Sequence, residues 1–214
     1  FTDSLPLGAT GKILKMFGAG KILWPHGMDV DKQGNVWVVD SRVATADELK
    51  KFPNLANLGN SVMKFSPDGK LLMTLGTPGK FGADATHFNR PTFLAWLPDS
   101  TMFVADGYNG TRVAKFDKDG KYLASASLAH TDGQLPVIHS VAVAPNGDVW
   151  VTDRASTKIV VYDKDLKPKS EIQVGALTCG LFVDKTGQLW LSTGRHGMVL
   201  KMGWDGKVQG WFGK

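Results

Sequence analysis

His26 and His139 each head a short alternating apolar run, "HGMDVDKQGNVWVVD" and "HSVAVAPNGDVWVTD", and each precedes an aspartate, Asp40 or Asp153, at the same spacing. A neutral imidazole nitrogen is a good ligand for zinc. Three such rings placed around an axis can converge on one ion and leave a fourth position for water or substrate, as in a catalytic zinc site. Two further side chains suit the same chemistry. Tyr108, in "DGYN", and Arg154, in "TDR", follow equivalent strands of neighbouring repeats, at the end where the histidines lie. A phenol is a weak base, but a dication and a guanidinium beside it favour its ionised form, which can take a proton from a hydroxyl. Arg154 can pair with a substrate carboxylate or stabilise developing negative charge. Arg195 and His196, in "STGRHG", are additional candidates near the same rim, His196 as a replacement ligand.

Each of these residues also has a plain structural reading. A lone histidine can be a hydrogen-bonded turn residue, Tyr108 a loop cap, and Arg154 a partner for Asp153 or Asp106. Thr92 and Cys179 occupy the histidine position in the second and fourth repeats, so the histidines alternate with other residues. Cys179 is read as a small buried hydrophobe in preference to a thiolate ligand. His87 and His130 fall in connections between repeats and are assigned no role. Asp40, Asp106 and Asp153 recur at one strand end, which points to turn carboxylates that accept backbone N–H groups. Trp37, Trp150 and Trp190 share one strand position and are expected in interblade packing.

The elements that must position these side chains follow from an internal repeat. The segments at 26–40, 92–106, 139–153 and 179–193 align without gaps, each an apolar run, a turn of Gly, Asp, Asn or Pro, and a second run of β-branched and aromatic residues. That is a hairpin pattern. A third and a fourth strand follow each hairpin, as in "RVAKFDKDGKYLASAS". Four short antiparallel strands per repeat describe propeller blades, here predicted at approximately 25–76, 91–127, 138–175 and 178–213 in a single all-β domain spanning 1–214. Residues 11–18, "GKILKMFG", match the fourth-strand pattern, and 41–60 form a loop insertion with one stretch of helical periodicity over 44–59. Four blades plus one extra outer strand lead to the expectation of a part of a larger, six-bladed ring, because a closed four-bladed ring would leave an apolar edge without a partner.

Composition fits this picture and narrows the function. Of 214 residues, 43% are hydrophobic and 21% charged, ordinary for a globular chain. The net charge is +5, but the lysines sit singly in turns, which disfavours a nucleic-acid face. The single cysteine excludes an intrachain disulfide and a paired-cysteine metal motif. No run approaches the roughly 20 apolar residues of a membrane helix. Asn109-Gly110-Thr111 fits an N-glycosylation acceptor, a pattern too common to weigh alone.

The blade consensus, "PHG-x-D-x-D-x-x-GNVWV-x-D" with a third strand like "RVAKFDKDGK", resembles the NHL repeat. More narrowly, "WPHGMDVD", "ADGYNGTR", "IHSVAVAP" and "TDR" occur in an order similar to the peptidyl-α-hydroxyglycine α-amidating lyases and their bacterial relatives. That resemblance implies a secreted or periplasmic lyase on a six-bladed propeller, which splits a peptidyl-α-hydroxyglycine or small carbinolamide into an amide and glyoxylate. It implies zinc held by three histidines, two of them matching His26 and His139, with Tyr108 and Arg154 catalytic. It also implies a structural calcium. The third histidine and a further arginine would fall beyond Lys214 and upstream of residue 11, so reduced or no activity is expected of 1–214 alone. The alternative is a non-catalytic NHL propeller that binds a protein or peptide partner on its loop face.

Overall fold

The computed structural model describes residues 11–214. The chain divides into two compact units, one up to Pro91 and the other Thr92–Lys214. Every sheet is four-stranded, antiparallel and ordered as in the chain, so each strand pairs with its sequence neighbour.

The first unit holds blade one: β1 (Pro25–Val30), β2 (Val36–Asp40), β3 (Ser61–Phe65) and β4 (Leu71–Leu75). The predicted insertion lies between β2 and β3 and contains α1 (Ala46–Lys51), followed by a 3₁₀ turn at Pro53–Asn57. A capping box starts α1: Glu48 N–H donates to Thr45 Oγ1, and Thr45 N–H donates to the Glu48 carboxylate. Arg42 donates to both oxygens of Glu48 at 2.7 and 2.8 Å and ties the helix to the strand end. The outer strand expected over 11–18 is pared down to single bridge residues at Ile13 and Phe17. Phe17 instead turns into the core against Phe65, with ring centroids 5.4 Å apart. Val38, Met63 and Ile22 complete that cluster.

The second unit holds three blades. Blade two is β5 (Pro91–Trp96), β6 (Met102–Asp106), β7 (Arg112–Phe116) and β8 (Tyr122–Ser127). Blade three is β9 (Ile138–Val143), β10 (Val149–Asp153), β11 (Lys158–Tyr162) and β12 (Pro168–Gln173). Blade four is β13 (Thr178–Val183), β14 (Leu189–Thr193), β15 (Met198–Met202) and β16 (Val208–Gly213). The period-two alternation of these strands gives each sheet two faces. One face of blade two, with Phe103, Ala105 and Val113, packs on Val141, Val149, Val151 and Val160 of blade three. The other face of blade three, with Ala142, Trp150, Ile159 and Val161, packs on Leu181, Leu189, Leu191 and Leu200 of blade four. The turns at Asp117, Asp163 and Asp184 are closed alike, each carboxylate accepting backbone N–H groups two and four residues on. The fold is an all-β chain of propeller blades.

Candidate functional site

The histidine position of the repeat is a β-bulge. In β9, Ile138 pairs with Asp153 and Ser140 with Thr152, so His139 is the extra residue left out of the ladder. Cys179 is skipped in the same way in β13, and His26 in β1. A bulge bends its strand and re-aims one side chain, and bulges gather beside active sites. The backbone groups freed there are satisfied by hydroxyls: Ser140 N–H donates to Thr152 Oγ1 at 2.8 Å, and Gly180 N–H to Ser192 Oγ at 2.9 Å. Leu181 N–H donates to Ser140 Oγ at 3.0 Å, stitching blade four to blade three beside both bulges.

That stitching sets the chemistry of His139. Its Nδ1 lies 3.0 Å from the Cys179 carbonyl oxygen, which can only accept, so Nδ1 carries the proton and the neutral ring presents a lone pair at Nε2. The Tyr108 hydroxyl is 2.9 Å from that Nε2 and donates to it. The two rings meet edge to face with centroids 5.2 Å apart. Arg154 Nη1 stands 3.5 Å from the same phenol oxygen. Three of the sequence candidates, His139, Tyr108 and Arg154, are thus brought together within the second unit.

Two backbone features hold Tyr108 there. Its φ is 51°, in the left-handed region that a bulky residue seldom adopts. Such a conformation costs on the order of 1–3 kcal/mol and persists where the surroundings enforce it. Asn109 and Gly110 N–H groups both donate to the Gly107 carbonyl and close the turn around Tyr108. Gly107 itself touches β9: a Cβ there would lie 1.5 Å from the Ile138 carbonyl oxygen, one residue before His139. Only glycine permits that approach. Sequence reasoning did not single Gly107 out, although "DGYN" contains it.

The other tyrosines are otherwise engaged. Burial, then the charges of Glu171 and Asp153, push Tyr162 up to about 12 and keep it a neutral core phenol. Tyr122 donates to Ser125 Oγ on its own strand.

The repeated aspartates serve structure, as their recurrence predicted. Asp40 accepts from the N–H groups of Leu23 and Trp24. Burial raises the Asp40 carboxyl above its ordinary value, and these bonds act against the rise. Asp106 is fully buried and pairs with Arg112 Nε at 2.9 Å. Asp153 accepts from Val137 and Ala155 N–H groups and from Ser156 Oγ, and also bonds His130 Nε2. His130, assigned no role from sequence, therefore has one; its signal was hidden because it lies outside the repeat. His87 bonds the Asp84 carboxylate within its own connection.

Of the tryptophans, Trp150 packs between blades as expected, edge to face with Trp204 at 5.2 Å. The indole N–H groups of Trp37 and Trp190 donate to Asp31 and Asp184 within their own blades. Arg195 and His196 lie exposed on the loop after β14. His26 occupies the bulge of β1 in the first unit, half-buried.

For the zinc implied by the resemblance, His139 fits as one ligand. Its Nδ1–H is fixed by a carbonyl, as is usual for metal-bound histidines, and Nε2 is the donor atom. Among the described residues, no group of three or more His, Cys, Asp or Glu is placed to hold an ion. Among them, too, no helix is long and apolar enough to cross a membrane.

No family model matches the chain. It is 33% identical over 163 residues, 73% of its length, to peptidylglycine alpha-amidating monooxygenase of Rattus norvegicus, covering 15% of that protein. It is 30% identical over 159 residues to a probable peptidyl-alpha-hydroxyglycine alpha-amidating lyase of Caenorhabditis elegans, 72% of this chain and 41% of that one. The chain thus spans well under half the length of either relative. Among solved structures it resembles virginiamycin B lyase from Staphylococcus aureus, with a TM-score of 0.61 and 18% identity over 89% of this chain and 56% of that one, a likeness of fold.

Proposed function

Taking the chain as an NHL-type β-propeller similar to the peptidyl-α-hydroxyglycine α-amidating lyases, we propose that it carries part of a lyase site that cleaves N-acyl-α-hydroxyglycines. The observation that carries this reading is the convergence of His139 Nε2 and Arg154 Nη1 on the Tyr108 hydroxyl oxygen.

The reaction needs a base for the carbinol hydroxyl and a counter-ion for the glycine carboxylate. Tyr108, ionised, takes the hydroxyl proton; the oxygen's electrons form the carbonyl of glyoxylate as the C–N bond breaks. The amide nitrogen keeps that electron pair and gains a proton, which the re-protonated phenol can return. Arg154, 3.5 Å from the Tyr108 oxygen, would hold the substrate carboxylate. His139 would hold zinc through Nε2. A zinc ion supplies Lewis acidity towards the substrate hydroxyl. Nε2 has one lone pair, which here accepts the Tyr108 hydrogen bond; with that lone pair given to zinc, the phenol would be free to act on substrate.

The test is glyoxylate release from N-benzoyl-α-hydroxyglycine by the protein as encoded, with zinc and after chelation. Zinc-dependent release of amide and glyoxylate in equal amounts is expected. No bound metal and no glyoxylate would sink the reading.

A further inference from the structure

Arg154 has two buried carboxylates beside it, and other side chains hold both. Asp106 is paired with Arg112. Asp153, the residue before Arg154 and fully buried, is paired with His130, whose side chain is only 9% exposed. Arg154 itself has no carboxylate within ion-pair distance among the described residues, and its guanidinium faces the Tyr108 oxygen.

This arrangement is particular to blade three. Ser41, Gly107 and Gly194 follow the equivalent strand ends in the other blades, so only there does a cation stand next to the strand-end residue. A buried carboxylate with an uncompensated charge draws the nearest cation onto itself. His130 comes from the connection between β8 and β9, the segment that runs directly into His139. Val137, on the same segment, both donates to Asp153 and accepts from Arg154 N–H at 2.9 Å. A second carboxylate, Asp132, lies 4.0 Å from the other ring nitrogen of His130.

We infer that His130 is a positioning residue: by holding Asp153 it keeps that carboxylate from capturing Arg154, and so leaves the guanidinium for Tyr108 and substrate. This rests on the lyase reading for its catalytic consequence, though not for its structural one.

The test compares the wild type with His130→Gln, His130→Lys and the double variant His130→Gln/Asp153→Asn, by crystal structure and by glyoxylate assay. In H130Q the guanidinium moves from Tyr108 onto Asp153, and kcat/KM falls roughly 10- to 100-fold, as for other displaced catalytic groups. In H130K, which keeps a hydrogen-bond donor on Asp153, and in the double variant, which removes the carboxylate, Arg154 stays on Tyr108. Their kcat/KM stays within about threefold of wild type, a rescue that loss of packing alone would not give. Arg154 remaining on Tyr108 in H130Q, or leaving it in the double variant, overturns the inference. Should H130Q not fold, the double variant decides alone: it must fold and keep the Arg154–Tyr108 contact. If no form releases glyoxylate, the lyase reading fails while the position of Arg154 still answers this question.

Discussion

Blades three and four share one hairpin, one bulge and one packing face, yet of these two only blade three supplies side chains to the proposed site. Where blade three has His139 in its bulge, blade four has Cys179, and Cys179 contributes its backbone carbonyl rather than its thiol to the site. Where blade three ends its second strand in Asp153 and Arg154, blade four has Thr193, whose hydroxyl closes locally on the backbone of Met198. Their faces differ too. Trp150 is buried under blade four, whereas on the equivalent face of blade four Phe182 and Phe212 are 64% and 58% exposed. The repeat thus supplies a bulge in blades one, three and four, and the proposed chemistry depends on what occupies those few positions.

The largest break in that comparison should come from the buried and exposed aromatic positions. Trp150→Ala removes the side chain that joins blades three and four and should cost about 3–5 kcal/mol of stability in denaturant unfolding. Phe182→Ala, in the exposed setting, should stay within about 0.5 kcal/mol.

Next is the backbone that seats Tyr108. Gly107→Ala forces a Cβ into the Ile138 carbonyl and should cost about 1–3 kcal/mol, with loss of the Tyr108–His139 contact. Gly210→Ala in β16, where nothing lies within 4 Å, should change the melting midpoint little.

The smallest effect separates two turns of the same design. In blade one, burial alone would raise the Asp31 carboxyl, but hydrogen bonds from Trp37 and Asn35 and from Lys64 outweigh it and hold it at about 2. Its contribution is therefore full above the ordinary carboxylate value of about 4 and is lost as pH falls towards 2. Asp31→Asn should flatten the acid limb of stability across that window, followed by urea midpoints. In blade four, Thr186 and Trp190 hold Asp184 low by the same kind of bonds, and Asp184→Asn should act likewise.

The blades were legible because hairpins repeat with one register of apolar residues, and the insertion because a polar stretch with helical periodicity interrupts the first repeat. The pairing of Tyr108 with His139 was not, since it depends on a bulge, on a left-handed Tyr108 and on Gly107 approaching Ile138, none of which alters the hydrophobic pattern. His130 was illegible for a related reason: its partner Asp153 lies across a connection whose course the repeat does not set. The 11–18 segment matched a strand by composition, but burying Phe17 against Phe65 took precedence over extending a ladder.

On the proposed reading Tyr108 is the base, and its setting, rather than the repeat position alone, makes the site. The most direct measurement is zinc-dependent glyoxylate release by Tyr108→Phe, which removes one oxygen from the site, set beside Cys179→Ser, which leaves the Cys179 carbonyl in place. Tyr108→Phe should lose roughly 100- to 10,000-fold, within the span of general base catalysis, and Cys179→Ser, whose backbone is unchanged, should stay within about threefold of wild type. Wild-type turnover in Tyr108→Phe, or equal losses in both variants, would contradict it.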